Sequence, residues 1–313
     1  MRFLRSTFFA AFLVSLAAGA SARTGPTYRE AIVEDAATGR VLFEDNADAI
    51  SPPASMTKLM TFAVLDDRIR AGALSLRTPV TVVPSDTRAV PSIIGLKPRE
   101  TFPIEELVYA MMIHSANDAA LAVAREVGGS VPAFVVMMNE KARALGMYHT
   151  VFRSPNGLPP PSRRIANGDL TTPRDFALLC RYLILHTDIL TYTSVKNRLF
   201  GVNLRFPPTP MTNHDRLLGR VNGVDGLKTG FTDGAGFCMA ATARRGNRRI
   251  IVVIMGSPGQ TIRDVEATEL LERGFAADLA AFAAPAASYP ARPADPPPDP
   301  AAGGPIIKFV MPR

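Results

Sequence analysis

Ser55 and Lys58 are the residues of this chain whose types and spacing most directly suggest chemistry. They stand three positions apart in Ser55-Met56-Thr57-Lys58, so on a helix both side chains lie on one face, one turn apart. Pro52-Pro53 favours a helix start at or near the serine, where backbone N–H groups stabilise a developing anion. A serine there can attack a carbonyl carbon, and a lysine of lowered pKa can take its proton. Taken alone, the spacing is more typical of a helix-capping serine beside a solvated lysine.

Ser115-Ala116-Asn117 is a second candidate segment, because it falls at a polar junction between two predicted helices. The Ser115 hydroxyl could relay a proton to a leaving amine, and the Asn117 amide could hold a substrate carbonyl. Ser154-Pro155-Asn156 has the same spacing. We assign the role to the first segment, since the second lies in a proline-rich loop and comes late in the chain.

Lys228-Thr229-Gly230 is the third candidate segment, and we predict that it opens a strand. Lys228 and Thr229 offer a cation and a hydroxyl to a substrate carboxylate, and Lys228 is the positive neighbour that would lower the pKa of Lys58. Gly230 lets a substrate lie close to the backbone. The Phe231 N–H is placed to be a second donor to an oxyanion, beside that of the serine. The alternative is an exposed lysine on an edge strand.

The composition bounds the class of protein. With 313 residues, 47% of them hydrophobic, the chain can form one large domain, or a large domain with a small lobe. Its net charge of +7 suits an anionic surface such as a cell-wall polymer or a lipid headgroup layer. Basic and aromatic residues form no evident cluster in the sequence, so nothing in it indicates nucleic-acid binding. Two cysteines and four histidines argue against a protein-bound zinc ion, and Cys180 and Cys238 are either free thiols or one disulfide.

The two ends of the chain differ from its middle. Residues 1–22 have a basic start, a short apolar stretch and the small-residue site Ala20-Ser21-Ala22, which predicts a secretory signal peptide; an uncleaved anchor is the alternative. The mature protein would then work outside the cytoplasm, in the periplasm. Residues 285–313 are rich in Pro and Ala and predict a disordered tail, whose apolar end at 306–311 could make at most weak membrane contact. The domain in between is 23–284.

Hydrophobic periodicity predicts an α+β fold. A hairpin at the start and two strands near the end suggest an antiparallel sheet, and the helices between them suggest a helical insertion. The predicted strands are Ala31–Asp35, Arg40–Glu44, Thr78–Val83, Cys238–Arg244 and Arg249–Met255. The predicted helices are Thr57–Ile69, Pro103–Ile113, Asn117–Val127, Val131–Leu145, Thr172–His186 and Ile262–Ala281, and residues 153–170 are predicted to form a loop.

In the order S-x-x-K, S-x-N and K-T-G, the three segments resemble the signature of penicillin-recognising serine acyl enzymes. The chain as a whole, from about Thr27 to Ala281, resembles the low-molecular-mass penicillin-binding proteins, which are serine-type D-alanyl-D-alanine carboxypeptidases. The matching segments are Glu34–Leu42, Pro53–Thr61, Ser115–Ala120, Asn156–Leu158 and Val224–Gly230. The resemblance implies a serine β-lactamase-like fold, in which helices flank an antiparallel sheet and an all-α lobe completes the cleft.

The resemblance also implies roles and partners. Ser55 would be the nucleophile and Lys58 its base, Ser115 and Lys228 would relay protons, and Asn117, Thr229 and Arg263 would bind substrate. The implied reaction removes the terminal D-alanine from peptidoglycan stem peptides through an acyl-enzyme, and β-lactam antibiotics would acylate the same serine. No metal or cofactor is expected.

The chain departs from the family pattern in places, and alternative functions follow from this. Phe231 stands where many members have His, and we expect neither their second β-domain nor their C-terminal amphipathic helix. A β-lactamase is disfavoured because residues 153–170 lack a glutamate and contain one aspartate, Asp169. A D,D-endopeptidase that cuts peptide crosslinks stays open, and so does, with less support, a non-catalytic cell-wall-binding scaffold.

Overall fold

The computed structural model describes residues 27–159, 162 and 164–283. The predicted signal peptide and tail lie outside these residues. The strands are β1 Glu30–Asp35, β2 Val41–Asp45, β3 Pro79–Thr81, β4 Thr101–Pro103, β5 Asn197–Phe200, β6 Thr209–Thr212, β7 Val224–Thr232, β8 Gly236–Arg245 and β9 Arg248–Ser257. The helices are α1 Lys58–Arg70, α2 Ile104–Ile113, α3 Asn117–Gly128, α4 Val131–Ala144, α5 Pro173–His186, α6 Ile189–Thr193 and α7 Gln260–Ala283.

A five-stranded antiparallel sheet, in the order β2-β1-β9-β8-β7, joins the two ends of the described chain. Side chains alternate between its faces, as they must along any strand. In β9, Ile250, Val252 and Ile254 pack in one apolar cluster with α7, whereas Ile251 and Val253 pack in the cluster that includes the other helices. Both faces are covered, which explains why β9 is apolar throughout rather than at alternate positions.

The helical region packs around α1. Eight consecutive residues, Lys58–Leu65, are buried, so this helix has no solvent-facing side over its first two turns. Helices α2, α3, α4 and α5 all contact it. Lys58, at the first position of this helix, is therefore buried in the core, whereas a lysine on an amphipathic surface helix would face solvent.

Most of the predicted elements are found. The hairpin of β1 and β2, helices α1–α5 and α7, and the β8–β9 pair match the expected segments to within a few residues. Thr172 caps α5 by accepting a hydrogen bond from the Asp175 N–H, with Pro173 at the first helical position. The short β3–β4 and β5–β6 pairs complete the fold, and of these strands only β3 was predicted.

Two further features bear on the expectations from composition. Cys180 and Cys238 are both buried free thiols, so no disulfide joins them. No single helix among the described residues is long and apolar enough to cross a bilayer, and α3 with α4 reaches that length and apolarity only as a pair bent by 84°.

Glu34 in β1 gives the fold a pH-dependent stability. Its side chain is 4% exposed, and burial raises its pKa to about 7, although Arg174 and Arg181 oppose the shift. The folded protein therefore keeps a proton at Glu34 that the unfolded chain releases, and this contribution to stability is lost as pH rises from about 4.5 to about 7. We expect Glu34→Gln to become more stable relative to the parent across that window, by up to about 3 kcal/mol.

Urea unfolding of parent and Glu34→Gln proteins at pH 4.5, 6 and 8 measures this difference. Glu140→Gln, which removes an exposed carboxylate from α4, is the matched control. A difference between Glu34→Gln and the parent that does not change with pH would contradict the assignment.

Candidate active site

Ser55 lies in a tight turn at the entrance to α1. The turn is a 3-10 segment, Ala54–Thr57, that leads directly into the α-helix. Ser55 is partly exposed and lines a cavity of about 140 Å³. Behind it, Gly157 approaches so closely that a Cβ on this residue would lie 1.9 Å from the Ala54 carbonyl oxygen. Glycine is required at 157 for this packing, and its φ of +80° favours glycine as well.

The Lys58 amine is held at three points. Its Nζ lies 2.7 Å from Asn117 Oδ1, 2.8 Å from the Asn156 carbonyl oxygen and 3.0 Å from Ser55 Oγ. The first two partners are amide oxygens, which can only accept hydrogen bonds. A neutral amine has two N–H groups and one lone pair, so donation to both amide oxygens leaves the lone pair for the Ser55 O–H. The geometry therefore suits transfer of a proton from Ser55 to Lys58.

Electrostatics favours the neutral form of Lys58. The side chain is fully buried, and within the described residues no carboxylate forms an ion pair with it. Burial lowers the pKa of Lys58 well below its ordinary value, and the Lys228 ammonium lowers it further, while Asp169 and Asp118 act in the opposite direction.

Ser115 and Asn117 lie at the junction between α2 and α3, as predicted. Ser115 has a φ of +58°, an unusual backbone conformation for a non-glycine residue, and it lines the same cavity as Ser55. The Asn117 Nδ2 donates to the Val90 carbonyl over 2.8 Å. This bond fixes the orientation of the amide, so that its oxygen faces Lys58.

Strand β7 forms the opposite wall of the cavity. Lys228, Thr229 and Gly230 lie in the middle of β7, which begins at Val224, so the prediction that the triplet opens the strand is wrong. Tertiary pairing with β8 extends the strand backwards, beyond what the local sequence indicates. A Cβ on Gly230 would lie 2.7 Å from the Pro53 carbonyl oxygen and 3.1 Å from the Ser55 nitrogen. The absence of a side chain at 230 is what allows β7 to reach the serine turn.

Lys228 is buried beside the cavity. Its Nζ donates to the Thr229 carbonyl oxygen over 3.0 Å. Burial, and secondly the Arg263 guanidinium, lower its pKa to about 7. The positive neighbour predicted for Lys58 is therefore present, and Lys228 itself loses its charge as the pH rises above about 7.

Phe231 and Arg263 complete the predicted set. The Phe231 side chain is 50% exposed, and its ring packs on Phe237 with 4.3 Å between centroids. Arg263, in the first turn of α7, is 2% exposed, donates to the Asp264 carboxylate over 3.0 Å from Nε and lines the cavity. The structure thus brings Ser55, Ser115, Thr229, Gly230, Phe231 and Arg263 around one cavity, with Lys58, Asn117 and Lys228 buried against it.

His214 is a site residue that the sequence analysis missed. It lines the cavity near Ser115 and Arg263, in the loop between β6 and β7. Burial, and then the Lys228 cation, lower its pKa to about 4, so the imidazole is neutral at pH 7. No spacing in the sequence marks this histidine, because the loop reaches the site only through the tertiary fold.

Residues of the 153–170 loop form hydrogen bonds with the segment that carries Ser55 and Lys58. The sequence analysis did not predict these contacts. The Asp169 carboxylate accepts hydrogen bonds from Thr57 Oγ1, Ser154 Oγ and two backbone N–H groups. Asn156, in the segment rejected as the second motif, contributes its backbone carbonyl to Lys58. Among the residues that the structure describes, no group of three or more His, Cys, Asp or Glu side chains could hold a metal ion.

Comparison with known proteins places this site in a family. The family model described as D-alanyl-D-alanine carboxypeptidase, peptidase S11, matches residues 21–259. The chain belongs to this family. It is 38% identical over 252 residues to the D-alanyl-D-alanine carboxypeptidase DacC of Escherichia coli, an alignment that covers 78% of this chain and 60% of the relative. For DacF of Bacillus subtilis the identity is 31% over 247 residues, covering 79% and 62%. The chain thus spans about 60% of the length of these curated relatives.

Solved structures agree with this placement. The ampicillin-bound form of penicillin-binding protein D2 from Listeria monocytogenes superposes with a TM-score of 0.70 at 30% identity, covering 80% of this chain and 98% of that one. Penicillin-binding protein 5 from Haemophilus influenzae gives 0.73 at 30% identity, covering 80% and 72%. The predicted α+β, serine β-lactamase-like fold and the family resemblance are confirmed.

The positive charge of Lys228 is expected to influence the pKa of Lys58. Replacing Lys228 with Gln removes the positive charge that lowers the pKa of Lys58, so that pKa rises. We expect the pH at which penicillin acylation of Ser55 reaches half its maximal rate to move upward by about one unit. Stopped-flow acylation rates between pH 5 and 10 measure the shift.

Lys228→Arg is the matched control, because it keeps the positive charge. Its pH profile should not move upward, even if the maximal rate falls. Equal upward shifts in both variants would show that the charge at 228 does not set the pKa of Lys58.

Proposed function

We propose that this chain is a serine-type D-alanyl-D-alanine carboxypeptidase that removes the terminal D-alanine from peptidoglycan stem peptides and is acylated by β-lactams. The observation that carries the proposal is the Lys58 amine, which is fully buried and 3.0 Å from Ser55 Oγ, with amide oxygens occupying its N–H groups. Such an amine is a base directed at one hydroxyl.

Acylation follows from the placement of the groups. The Ser55 hydroxyl gives its proton to Lys58, and Oγ attacks the carbonyl carbon of the penultimate D-alanine. The Ser55 and Phe231 N–H groups donate to the oxyanion. As the C–N bond breaks, a proton passes through the Ser115 hydroxyl to the leaving amine, with Lys228 as a second relay. Terminal D-alanine is then free, and the rest of the peptide is an ester on Ser55.

Substrate orientation and turnover use the remaining residues. Arg263 and Thr229 line the cavity, with Lys228 buried beside them, and together they suit the terminal carboxylate of the peptide. Asn117, expected from the sequence to bind substrate, is 1% exposed and bonded to Lys58 and Val90, so its role would be to position the base. Water then attacks the ester, Lys58 takes its proton, and the Ser55 hydroxyl is restored.

We also propose where the protein works. Residues 1–22 have the pattern of a secretory signal, and the family acts on the cell wall, so the catalytic domain at 23–284 would be periplasmic. Any membrane contact would be weak and would involve the apolar end of the chain at 306–311.

The nucleophile is tested with labelled penicillin and with a pentapeptide substrate. We expect the parent protein to form a stoichiometric covalent adduct and to release D-alanine, and Ser55→Ala to lose both. Lys58→Arg should lose about 10²–10⁴-fold in acylation rate, because arginine cannot act as a base. Ser194→Ala, which changes an exposed serine, is the control. Labelling of Ser55→Ala at the parental level would contradict the proposal.

A second candidate activity, D,D-endopeptidase, is favoured by a basic groove at one end of the site. The groove has a volume of about 640 Å³ and shares His214 and Gln260 with the catalytic cavity. Lys196, Arg216 and Arg220 line it, and within the described residues none of them forms an ion pair. Asp215, the one carboxylate of the lining, is buried.

The chemistry of a crosslink suits this arrangement. Where the acceptor amine of a D-alanyl crosslink has a carboxylate on the same carbon, the residue after the scissile bond carries an α-carboxylate, as terminal D-alanine does, but it continues into a second stem peptide. That stem bears further carboxylates, which three unpaired cations would attract. A carboxypeptidase that releases a single D-alanine has no need of such a groove.

The groove is tested with a crosslinked dimer. We expect Lys196→Gln, Arg216→Gln and Arg220→Gln combined to lower kcat/KM for dimer cleavage about tenfold, while kcat/KM for the pentapeptide stays within about twofold. Chromatography of the released peptides gives both values. Failure of the parent protein to cleave the dimer would rule out the endopeptidase activity and leave the carboxypeptidase proposal unaffected.

A further inference from the structure

A second cavity, of about 350 Å³, adjoins the catalytic cavity and shares no lining residue with the basic groove. It shares Phe231 with the catalytic cavity, and the 153–170 loop and the turn after β7 enclose it. Ile165 closes the cavity by packing over Gly234, where a Cβ would lie 3.2 Å from Ile165 Cγ1. This cavity, which we call the acyl-side pocket, is not used by any step described above.

The direction of β7 determines which part of a substrate meets the acyl-side pocket. β7 is an outer strand of the sheet, so one of its edges is free to pair with a peptide. With the terminal carboxylate at Thr229 and Arg263, the peptide runs antiparallel to β7, past Phe231 and Thr232. At about 3.3 Å per residue, the residue just before the acylated D-alanine comes level with the pocket. The side chain of that residue is the group that would enter it.

The lining combines apolar walls with three charged side chains, of which the Asp169 carboxylate is buried and already bonded to Thr57 and Ser154. Pro52, Pro91, Leu158 and Phe231 supply apolar surface, together with Ile165. Arg164 and Asp233 also line the pocket, and both are exposed at its mouth. Within the described residues neither of these two side chains has an ion pair or a side-chain hydrogen bond, so both charges are available to a ligand.

An aliphatic chain that ends in both an ammonium and a carboxylate complements this lining. The methylene groups would lie against the apolar walls, the ammonium would meet Asp233, and the carboxylate would meet Arg164. A lysine side chain has the same methylenes and ammonium but lacks the carboxylate, so it would leave Arg164 without a partner.

Resting on the function proposed above, we propose that the acyl-side pocket selects stem peptides whose third residue is a diamino acid with a zwitterionic end, such as diaminopimelate, over those with lysine. Asp233 recognises the ammonium that both side chains share. Arg164 recognises the carboxylate that distinguishes them and is therefore the specificity-determining residue.

The experiment compares three pentapeptides that differ only in the third residue: diaminopimelate, its amide at the side-chain carboxylate, and lysine. We expect kcat/KM for D-alanine release to be about fivefold higher for diaminopimelate than for either of the others. Arg164→Gln should remove this preference by lowering only the diaminopimelate value. Asp233→Asn should lower all three values by similar factors.

Controls separate recognition from damage to the site. Arg68→Gln changes an exposed arginine on α1, away from the pocket, and should keep the parental preference. Penicillin acylation of Ser55 should be unchanged in Arg164→Gln, since penicillin lacks the third residue. Equal kcat/KM for the three peptides in the parent protein, or an intact preference in Arg164→Gln, would overturn the inference.

Failure of the proposed function would give a different result. If no pentapeptide is hydrolysed although penicillin acylates Ser55, the same peptides are compared as competitors of labelled penicillin. The inference then expects diaminopimelate peptide to protect Ser55 at about fivefold lower concentration than its amide. Equal protection by both would overturn it.

Discussion

The burial of an unpaired lysine amine is the constraint around which this protein is organised. Lys58 is the first residue of a helix whose first two turns are buried on every side, and its Nζ contacts three neutral oxygens rather than a carboxylate. An ammonium in such surroundings is poorly stabilised, because amide oxygens do not replace the lost hydration of a full charge. The fold therefore favours a base at this position, and among the described residues Ser55 is the one hydrogen-bond partner of Lys58 that has a proton to give.

The segments that surround Lys58 are rigid because each is tied to another. The Asn117 amide is oriented by the Val90 carbonyl, and the Asn156 carbonyl is held in a loop whose Pro155 carbonyl accepts from Thr61 Oγ1 over 2.6 Å. Asp169 then joins the same loop to the turn that carries Ser55 through a hydrogen bond from Thr57. The proline- and glycine-rich loop at 153–170 is thus part of the catalytic core as well as a boundary of the substrate cleft, which explains why glycine is needed at 157, where the chains touch.

The sequence predicted the parts of this site that depend on side-chain type and local spacing. S-x-x-K, S-x-N and K-T-G each lie where a helix start, a helix junction or a strand puts them, and Thr172-Pro173 marked the start of α5. What the sequence did not predict depends on tertiary contacts. The Asn156 carbonyl has no side-chain signature, and His214 arrives on a loop that follows the unpredicted β5–β6 pair. The extent of β7 was missed because β8 pairing, rather than local propensity, determines where that strand begins.

The cations at one end of the cavity link substrate binding to the strength of the base. Lys228 lowers the pKa of Lys58, and Arg263 lowers that of Lys228. In the proposed reaction, a substrate carboxylate near Lys228 and Arg263 would offset these positive charges, so the pKa of Lys58 would rise when substrate is in place. Lys228 and Arg263 thus keep the pKa of Lys58 low, and a carboxylate bound beside them would make the same amine more basic. Substrates that lack a carboxylate at this position would lose both an anchoring contact and this increase in basicity.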